Sequence, residues 1–393
     1  MSAERRLRQR SDRTALAQAA GWTEWLVGAV AVLIAVATRW AMLRYASGDF
    51  DQYTSEWYGF IQQNGGAEAL RQGISNYTPP YVYGMIVVHW LFPELAPVVA
   101  LKLIGLPFDF VGAIFAGRIV ALRYRDPLVP VLAASAYLFA PTVVLNGAFW
   151  GQVDGIGASA VLACVYFVLC GRDTAALVAF GLGLAFKLQP IFLLPMLAVL
   201  VLRQRLDWRW FAVVPAIYLV AILPAWLAGR PLSQLLMVYA GQADFYQRLS
   251  SNAPHVFAWF PNQFYSYLYP AGLYWAVGIL FLATTVAVRV TRELTFDRIL
   301  QLALISLILV PYCLPKMHER YFFLADALAV PFAFVFPRLA VPAVLIIVTS
   351  FCSYAPFLLH QEIVPMLWLP FVLGSVLVIL LREYASGLRQ NLN

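Results

Sequence analysis

The chain has 393 residues, of which 62% are hydrophobic and 12% are charged, and its formal net charge is +7. A mean hydropathy of +0.74 argues against a soluble globule and against a disordered chain. Apolar stretches recur along the chain without alternating polarity, which argues against a single anchor and against a transmembrane β-barrel. The sequence therefore predicts an all-α, polytopic helical membrane protein.

A basic segment precedes the first apolar run. It contains Arg5, Arg6, Arg8, Arg10 and Arg13. The positive-inside rule places such a segment in the cytoplasm. Residues 1–22 are therefore interpreted as a topology-setting cytoplasmic segment, and binding to an anionic membrane surface is a second possibility.

The apolar runs predict the helices in chain order. They cover about 25–43, 81–95, 97–122, 128–148, 154–170, 174–188, 190–203, 210–228, 271–288, 298–314, 321–336, 339–358 and 363–381. Residues 80–122 must cross once or three times, so we expect 12 or 14 spans. The chain is interpreted as one integral membrane domain, 23–381, followed by a cytoplasmic tail, 382–393.

Basic residues in the short turns mark one side of the membrane as cytoplasmic. Two long segments, about 44–79 and 229–269, then lie outside, and the first is expected to carry short helices. The predicted external segments hold most of the acids, amides and aromatic residues that lie between spans. We therefore expect any chemistry on the external face.

The hexapeptide Pro-Lys-Met-His-Glu-Arg at 315–320 is a dense polar cluster between two apolar runs. Ionisable groups are costly in hydrocarbon unless they are paired or line a wet cavity. Lys316 and Arg320 are candidates for binding a phosphate, with His318 as a hydrogen-bond donor. An interfacial ion-pair cluster is the alternative.

Three acids are candidates for a catalytic base. Asp49 follows the first span, where it either acts in a partly desolvated site or caps the next helix. Asp51 is interpreted as an exposed neighbour. Asp154 follows a short turn and either caps a helix or supplies a second carboxylate.

Three further polar residues stand out. Lys187 and Gln189 interrupt an apolar run before Pro190, which breaks the helix. The lysine either extends to the interface or binds a lipid phosphate. His255 lies among aromatic and amide residues that suit carbohydrate binding and equally an interfacial belt. The four cysteines lack metal-ligand spacing.

Six short motifs occur in order along the chain. They are Ser47-Gly48-Asp49, Asn64-Gly65-Gly66, Ser75-Asn76-Tyr77 with Pro79-Pro80-Tyr81, Trp150-Gly151-Gln152 with Asp154, Phe186-Lys187-Leu188-Gln189, and Pro315-Lys316-Met317-His318-Glu319-Arg320-Tyr321. Together they resemble bacterial integral-membrane glycosyltransferases of the GT-C superfamily, in the group related to the second mannosyltransferase of GPI-anchor synthesis. The resemblance covers about residues 45–330.

The resemblance implies a GT-C-like fold and an inverting hexosyltransferase. Such an enzyme moves a sugar, here mannose or glucose, from a polyprenyl-phosphate donor to an extracytoplasmic lipid or glycan acceptor. A first-loop acid would be the base. Asp49 stands at the motif position, but Asp51 follows two residues later and leaves the choice between them open. Asp154 would be a secondary acid.

The resemblance also implies how the other residues act. The donor phosphate would be bound by Lys187, Lys316, His318 and Arg320, with Glu319 orienting one of them. The expected supporting residues are Gln152, Gln189, Tyr77 and His255. Membrane lipids are further partners, and no cofactor, metal or nucleic acid is expected. The expected location is the bacterial inner membrane, with the active site facing the periplasm or exterior.

Two other functions are compatible with external cations. A lipid-linked sugar or polysaccharide transporter, or flippase, would bind the lipid phosphate without transferring the sugar. It would place ionisable groups near the membrane midplane, for which Lys102 and Asp109 are the candidates. A non-catalytic partner of a cell-envelope complex is the third possibility. The first-loop acids favour the enzyme.

Overall fold

The computed structural model describes residues 21–389, apart from the side chains of 243–245 and 387–389. The basic segment 1–22 thus lies almost wholly outside the described residues, as does the end of the tail, 390–393. The described chain is mostly helical, and its two strands have two residues each. The predicted all-α class is confirmed.

The α-helices follow the predicted apolar runs closely. In chain order they are α1 Trp22–Met42, α2 Ser55–Asn64, α3 Gly66–Gln72, α4 Pro79–Leu91, α5 Pro97–Ala121, α6 Leu128–Phe139, α7 Pro141–Val144, α8 Asp154–Leu169, α9 Asp173–Phe186, α10 Leu194–Leu202, α11 Val213–Leu227, α12 Leu232–Leu236, α13 Val238–Phe245, α14 Tyr265–Val290, α15 Phe296–Cys313, α16 Phe323–Val335, α17 Ala340–Leu358 and α18 Leu369–Arg389.

Short helical turns and two strands complete the chain. The turns are π-helical at Phe50–Thr54 and Leu145–Trp150, and 3₁₀-helical at Gln189–Leu193, Trp208–Ala212, Val256–Trp259, Asn262–Phe264, Glu319–Phe322, Pro337–Leu339 and Met366–Trp368. The strands are β1 Ser250–Ser251 and β2 Met317–His318. They pair in parallel, with Ser250 opposite Met317 and Ser251 opposite His318.

Proline and glycine set several of these boundaries. Helices α4 and α5 begin at prolines, whose missing N–H costs nothing in the first turn. The predicted helix 128–148 is interrupted before Pro141, and its two parts are bent by 51°. Gly151 ends the second part with a φ of 84°, a left-handed conformation that glycine adopts without strain.

The helices define a multi-pass membrane protein. Among residues 21–389, seven helices are long and apolar enough to cross a membrane, or eight if the bent pair counts as one span. Three shorter apolar helices cover Asp154–Leu169, Asp173–Phe186 and Gln189–Leu202. Long helices therefore supply fewer crossings than the 12 or 14 expected, because several apolar runs form helices shorter than the roughly 20 residues that a bilayer requires.

A buried centre and an apolar outer ring organise the bundle. Helices α5, α8, α9 and α16 pack around the main core, and 83% of the span formed by α15 is buried. By contrast, only 11% of the spans that contain α11 and α14 is buried. Their exposed leucine, valine and aromatic side chains are what lipid contact requires.

The loop after α1 forms short helices, as the sequence predicts. Tyr58 and Ile61 of α2 and Ala69 of α3 are buried against α4 and α5. This packing attaches the first loop to the bundle. It also gives a fixed position to the residues that come just before α2.

Ionisable groups at the contact between α1 and α5 have partners. Arg39 Nε lies 2.9 Å from Asp109 Oδ2, and both side chains are at most 3% exposed. Lys102 Nζ donates to the carbonyl oxygens of Met42 at 2.9 Å and Tyr45 at 2.8 Å. These polar groups join α1 to α5, so Lys102 and Asp109 have structural partners.

Arg39→Ala should lower the thermal unfolding temperature in detergent, followed by tryptophan fluorescence. The change leaves the Asp109 carboxylate buried without its cation, which typically costs about 3–5 kcal/mol. Arg71→Ala is the matched control because it breaks an exposed pair with Glu68, and it should leave the unfolding temperature almost unchanged. An equal loss in both variants would contradict a structural role for the buried pair.

Candidate functional site

A cavity of about 450 Å³ lies where several distant segments of the chain meet, among them the first loop, the turn at 150–153 and residues 314–321. Eight residues singled out from the sequence line it: Asp49, Tyr77, Gln152, Lys187, Gln189, Lys316, His318 and Arg320. Four others do not line it: Asp51, Asp154, Glu319 and His255. The fold thus brings residues of the first loop and of the hexapeptide to one cavity.

Asp49 is held on the cavity wall by the turn at 150–152. The Ser47 hydroxyl donates to the Trp150 carbonyl oxygen at 2.8 Å. Asp49 Oδ2 accepts hydrogen bonds from Trp150 Nε1 at 2.9 Å and Gln152 Nε2 at 2.5 Å. No donor among residues 21–389 bonds to Oδ1. This oxygen is therefore the one available to a substrate hydroxyl.

The Trp150 side chain connects the two walls of the cavity. Trp150 is 2% exposed; its ring stacks on Phe357 at 4.8 Å and meets Tyr354 edge-on at 5.3 Å. Its indole N–H donates to Asp49, and the guanidinium carbon of Arg320 lies 5.4 Å from its ring centroid. Such a cation–π contact is attractive. One fixed ring therefore contacts both the acid and the guanidinium.

The Lys187 ammonium is bound within the protein. The residue follows the end of α9 in an extended conformation. Its Nζ donates to Asp154 Oδ1 at 2.5 Å and to Gln152 Oε1 at 3.4 Å. The Tyr77 ring centroid lies 4.8 Å from Nζ. Lys187 thus lines the cavity, but Asp154 balances its charge.

Of the three candidate acids, only Asp49 lines the cavity. Asp154 begins α8 and is 5% exposed, and its second oxygen accepts from Asn146 Nδ2 at 3.0 Å. Both of its oxygens are therefore occupied. Asp51 is exposed and does not line the cavity. This geometry favours Asp49 over Asp51 as a base.

Lys316 adopts an unusual backbone conformation. Its φ of 64° lies in the left-handed region, which residues with side chains seldom occupy. Its N–H donates to the Leu249 carbonyl oxygen at 2.8 Å. The ammonium lies 5.4 Å from the Tyr265 ring centroid and 5.0 Å from that of Tyr269. Strained conformations of this kind cluster at functional sites.

His318 presents a neutral imidazole to the cavity. Its ring centroid lies 5.3 Å from those of Tyr246 and Tyr321. Burial, together with the charge of Arg320, lowers the pKa of His318 to about 3. A neutral imidazole has one N–H donor. His318 can therefore donate a hydrogen bond to an anion without adding charge.

Arg320 has unused hydrogen-bonding capacity. Its Nε and Nη1 are buried and have no hydrogen-bond partner in the described part of the chain. Buried donors are seldom left without a hydrogen-bond acceptor, because removing them from water is costly. Burial disfavours the charge of Arg320, but nearby anionic groups such as Asp49 outweigh burial and raise its pKa. The guanidinium is suited to bind an anion.

Glu319 and His255 lie behind the cavity wall. Glu319 is 4% exposed, and burial raises the pKa of its carboxyl to about 7 even though the charge of Arg320 opposes the shift. His255 is fully buried, and its Nδ1 lies 2.9 Å from the Leu314 carbonyl oxygen. His255 thus supports the backbone just before the hexapeptide.

The structure adds lining residues that sequence reasoning missed. Arg248 lines the cavity, and so does Lys102, which the sequence suggested only as a midplane group of a transporter. So do the aromatic residues Tyr53, Trp57, Tyr81, Tyr239, Tyr246 and Tyr269. The sequence could have indicated Arg248. Segment 229–269 is predicted to be external, where basic residues are few, and it contains only two of them. The aromatic residues could not be recognised as site residues from the sequence, because aromatic belts are common in membrane proteins.

The cavity is strongly cationic. Five cationic side chains line it, Lys102, Lys187, Arg248, Lys316 and Arg320, against one lining carboxylate among the described residues, Asp49. Aromatic and amide groups surround them. Such a site suits a molecule that carries both a phosphate and a sugar. Within residues 21–389, no group of three His, Cys, Asp or Glu is placed to hold a metal ion.

The fold and the cavity together define a multi-pass helical membrane protein with a site in which, among the described residues, five cations and the acid Asp49 line one cavity. Neither protein-family models nor curated proteins match the chain.

The Glu319 carboxyl should make stability depend on pH. Its folded pKa of about 7 exceeds the ordinary 4.5, so the folded state holds this proton more tightly than the unfolded state. The stabilisation of the folded state by this proton is fully present below pH 4.5 and is lost as the pH rises through about 7. Glu319→Gln has no such carboxyl. The unfolding temperature of Glu319→Gln minus that of wild type should therefore rise between pH 4.5 and about 7 and stay constant at higher pH.

The control for this measurement is Glu56→Gln, at an exposed carboxyl. It should follow the wild-type dependence throughout. If Glu319→Gln also runs parallel to wild type, the buried carboxyl does not hold its proton as the structure implies.

Proposed function

We propose that the protein is a membrane glycosyltransferase that moves a hexose, mannose or glucose, from a polyprenyl-phosphate donor to a lipid or glycan acceptor. The observation that carries this proposal is the cavity that Asp49 and the cations of the hexapeptide line together, with Asp49 and Arg320 in contact with different parts of Trp150. An acid beside a phosphate site is what glycosyl transfer with inversion requires.

The acid has the geometry of a general base. Two donors fix Oδ2 of Asp49, and this leaves Oδ1 to accept the proton of an acceptor hydroxyl. As that proton moves to Asp49, the hydroxyl oxygen forms a bond to the anomeric carbon. The bond from that carbon to the phosphate oxygen breaks, and its electron pair stays on the phosphate. The resemblance to GT-C enzymes supports the same assignment.

The hexapeptide has the charges that the leaving phosphate requires. Arg320 offers two nitrogen atoms, Nε and Nη1, whose N–H groups have no partner among the described residues, and Lys316 holds its ammonium over two tyrosine rings. His318 adds a neutral donor. Donors that are already in place when negative charge develops stabilise the transition state without reorganisation. Asp154 holds the Lys187 ammonium, which donates to Gln152. Gln152 in turn donates to Asp49 and positions it.

The neutral part of the lining suits a sugar. The amides of Asn76, Gln152, Gln189 and Gln242 lie among the tyrosines and Trp57. Aromatic faces pack against sugar rings, while amides bond to hydroxyl groups. Leu101, Leu188 and Leu273 provide apolar lining on which a polyprenyl chain can pack. The bacterial inner membrane and an outward-facing cavity remain proposals that rest on loop charge.

A transporter has less support. Its expected midplane groups, Lys102 and Asp109, are bonded to backbone carbonyls and to Arg39. These contacts explain both residues as structural. External cations suit both transport of the lipid and transfer of the sugar, and an assay of both activities distinguishes the two functions.

Asp49→Asn should lower transfer by about 10²–10⁴-fold, the usual contribution of a general base. The measurement is sugar transfer from radiolabelled polyprenyl-phosphate-mannose and polyprenyl-phosphate-glucose in proteoliposomes with envelope lipid or glycan acceptors. Asp51→Asn is the matched control, and it should retain near-wild-type transfer because Asp51 is exposed outside the cavity.

Two outcomes would contradict this assignment. If Asp49→Asn transfers as fast as wild type, Asp49 is not the base. If wild type transfers neither sugar to any of these acceptors but moves the labelled lipid between leaflets, the protein is a transporter.

Arg320→Ala should weaken use of the donor by about ten- to a hundredfold, which is the usual value of a hydrogen bond to a charged group. The change should appear mainly as a higher KM for the polyprenyl-phosphate sugar. Arg320→Lys keeps the charge but loses the planar pair of donors, so it should fall between Ala and wild type. An unchanged donor KM in a folded Arg320→Ala protein would remove Arg320 from the phosphate site.

A further inference from the structure

The backbone around Arg248 is anchored at successive residues. Asn262 Nδ2 donates to the Gln247 carbonyl oxygen at 3.1 Å, and Asn262 Oδ1 accepts from the Leu249 N–H at 2.8 Å. The Leu249 carbonyl oxygen in turn accepts from the Lys316 N–H at 2.8 Å. One amide therefore clamps both neighbours of Arg248, and one of them is bonded to the hexapeptide.

The strands extend this attachment. β1, which starts two residues after Arg248, pairs with β2 at Met317 and His318. Asn252 adds a bridge to His318. The backbone of Arg248 is thus held beside the hexapeptide, although the two segments lie far apart in sequence. A loop bonded in this way presents its side chain from a fixed position.

The Arg248 side chain takes no part in that attachment. It is exposed and lines the cavity. Among the side chains that the structure describes, none forms a hydrogen bond or ion pair with its guanidinium. Two other lining cations differ, because Asp154 balances Lys187 and backbone carbonyls surround Lys102. Within the described side chains, Arg248 therefore brings to the cavity a positive charge that no carboxylate balances.

The proposed reaction moves negative charge toward this side of the cavity. Before transfer, Asp49 and the phosphodiester donor carry one negative charge each. Afterwards Asp49 holds the acceptor proton, and the phosphate monoester carries the electron pair of the broken bond. The total charge is unchanged, but one unit has passed from the first loop to the phosphate.

We propose that Arg248 is a further phosphate-binding residue that stabilises this transferred charge. The inference rests on the proposed function. Its contact with the phosphate strengthens as the bond to the sugar breaks, because the phosphate then becomes a dianion. An interaction that is stronger in the transition state than in the bound substrate raises kcat more than it lowers KM. Arg248 thus differs from Arg320, which binds the donor phosphate from the start.

Direct binding tests the proposal with two probes. Farnesyl phosphate represents the monoester product, and its methyl ester represents the diester donor. Binding to the full-length protein in detergent is measured at pH 8, where the monoester is a dianion. Arg248→Ala should lose about tenfold or more in affinity for farnesyl phosphate and less than about twofold for the methyl ester. Transfer assays should show a lower kcat with little change in donor KM.

Two variants control the measurement. Arg209→Ala removes an exposed arginine outside the cavity lining and should bind both probes as wild type does. Arg248→Lys should recover part of the monoester affinity. Because the Arg248 side chain makes no bond that holds the loop, all three variants should keep the wild-type unfolding temperature.

The outcomes separate the two proposals. If wild type binds the probes and Arg248→Ala loses equal affinity for both or for neither, the role of Arg248 is refuted while the transferase proposal stands. If wild type binds neither probe, the phosphate cavity itself is refuted, and the inference fails with it.

Discussion

The contact of Trp150 with both Asp49 and Arg320 is the interaction on which the candidate site depends. An indole has a donor edge and an electron-rich face, so one ring can bind a carboxylate and a guanidinium at once. Phe357 and Tyr354 hold the ring in place. The first loop and the hexapeptide belong to distant parts of the chain, and this ring contacts a side chain from each of them.

The cost of a charge in an apolar bundle explains the distribution of partners. Arg39 pairs with Asp109, and Lys187 pairs with Asp154, because an unpaired charge is not tolerated there. Arg320 and Arg248 depart from this rule and both line the cavity. The contrast between satisfied and unsatisfied cations therefore marks the site more clearly than the number of cations does.

Most of the fold was predictable because hydrophobic runs fix where helices form. The predicted 97–122 and 298–314 correspond closely to Pro97–Ala121 and Phe296–Cys313. The interruption before Pro141 was not predicted, because composition alone continues the apolar run through it. Seven or eight helices of the described residues have the length and apolarity of a full span, so the expected 12 or 14 crossings stay a prediction that depends on the shorter apolar helices.

The sequence by itself determined the helical membrane class, the short helices of the first loop and the types of residue available for chemistry. Tertiary structure alone decided that Asp49 and not Asp51 lines the cavity, and that Asp154 is bonded to Lys187. It also brought Arg248 beside the hexapeptide through β1 and β2. The physical reason is that hydropathy acts locally along the chain, whereas hydrogen bonds between distant segments depend on how the helices pack.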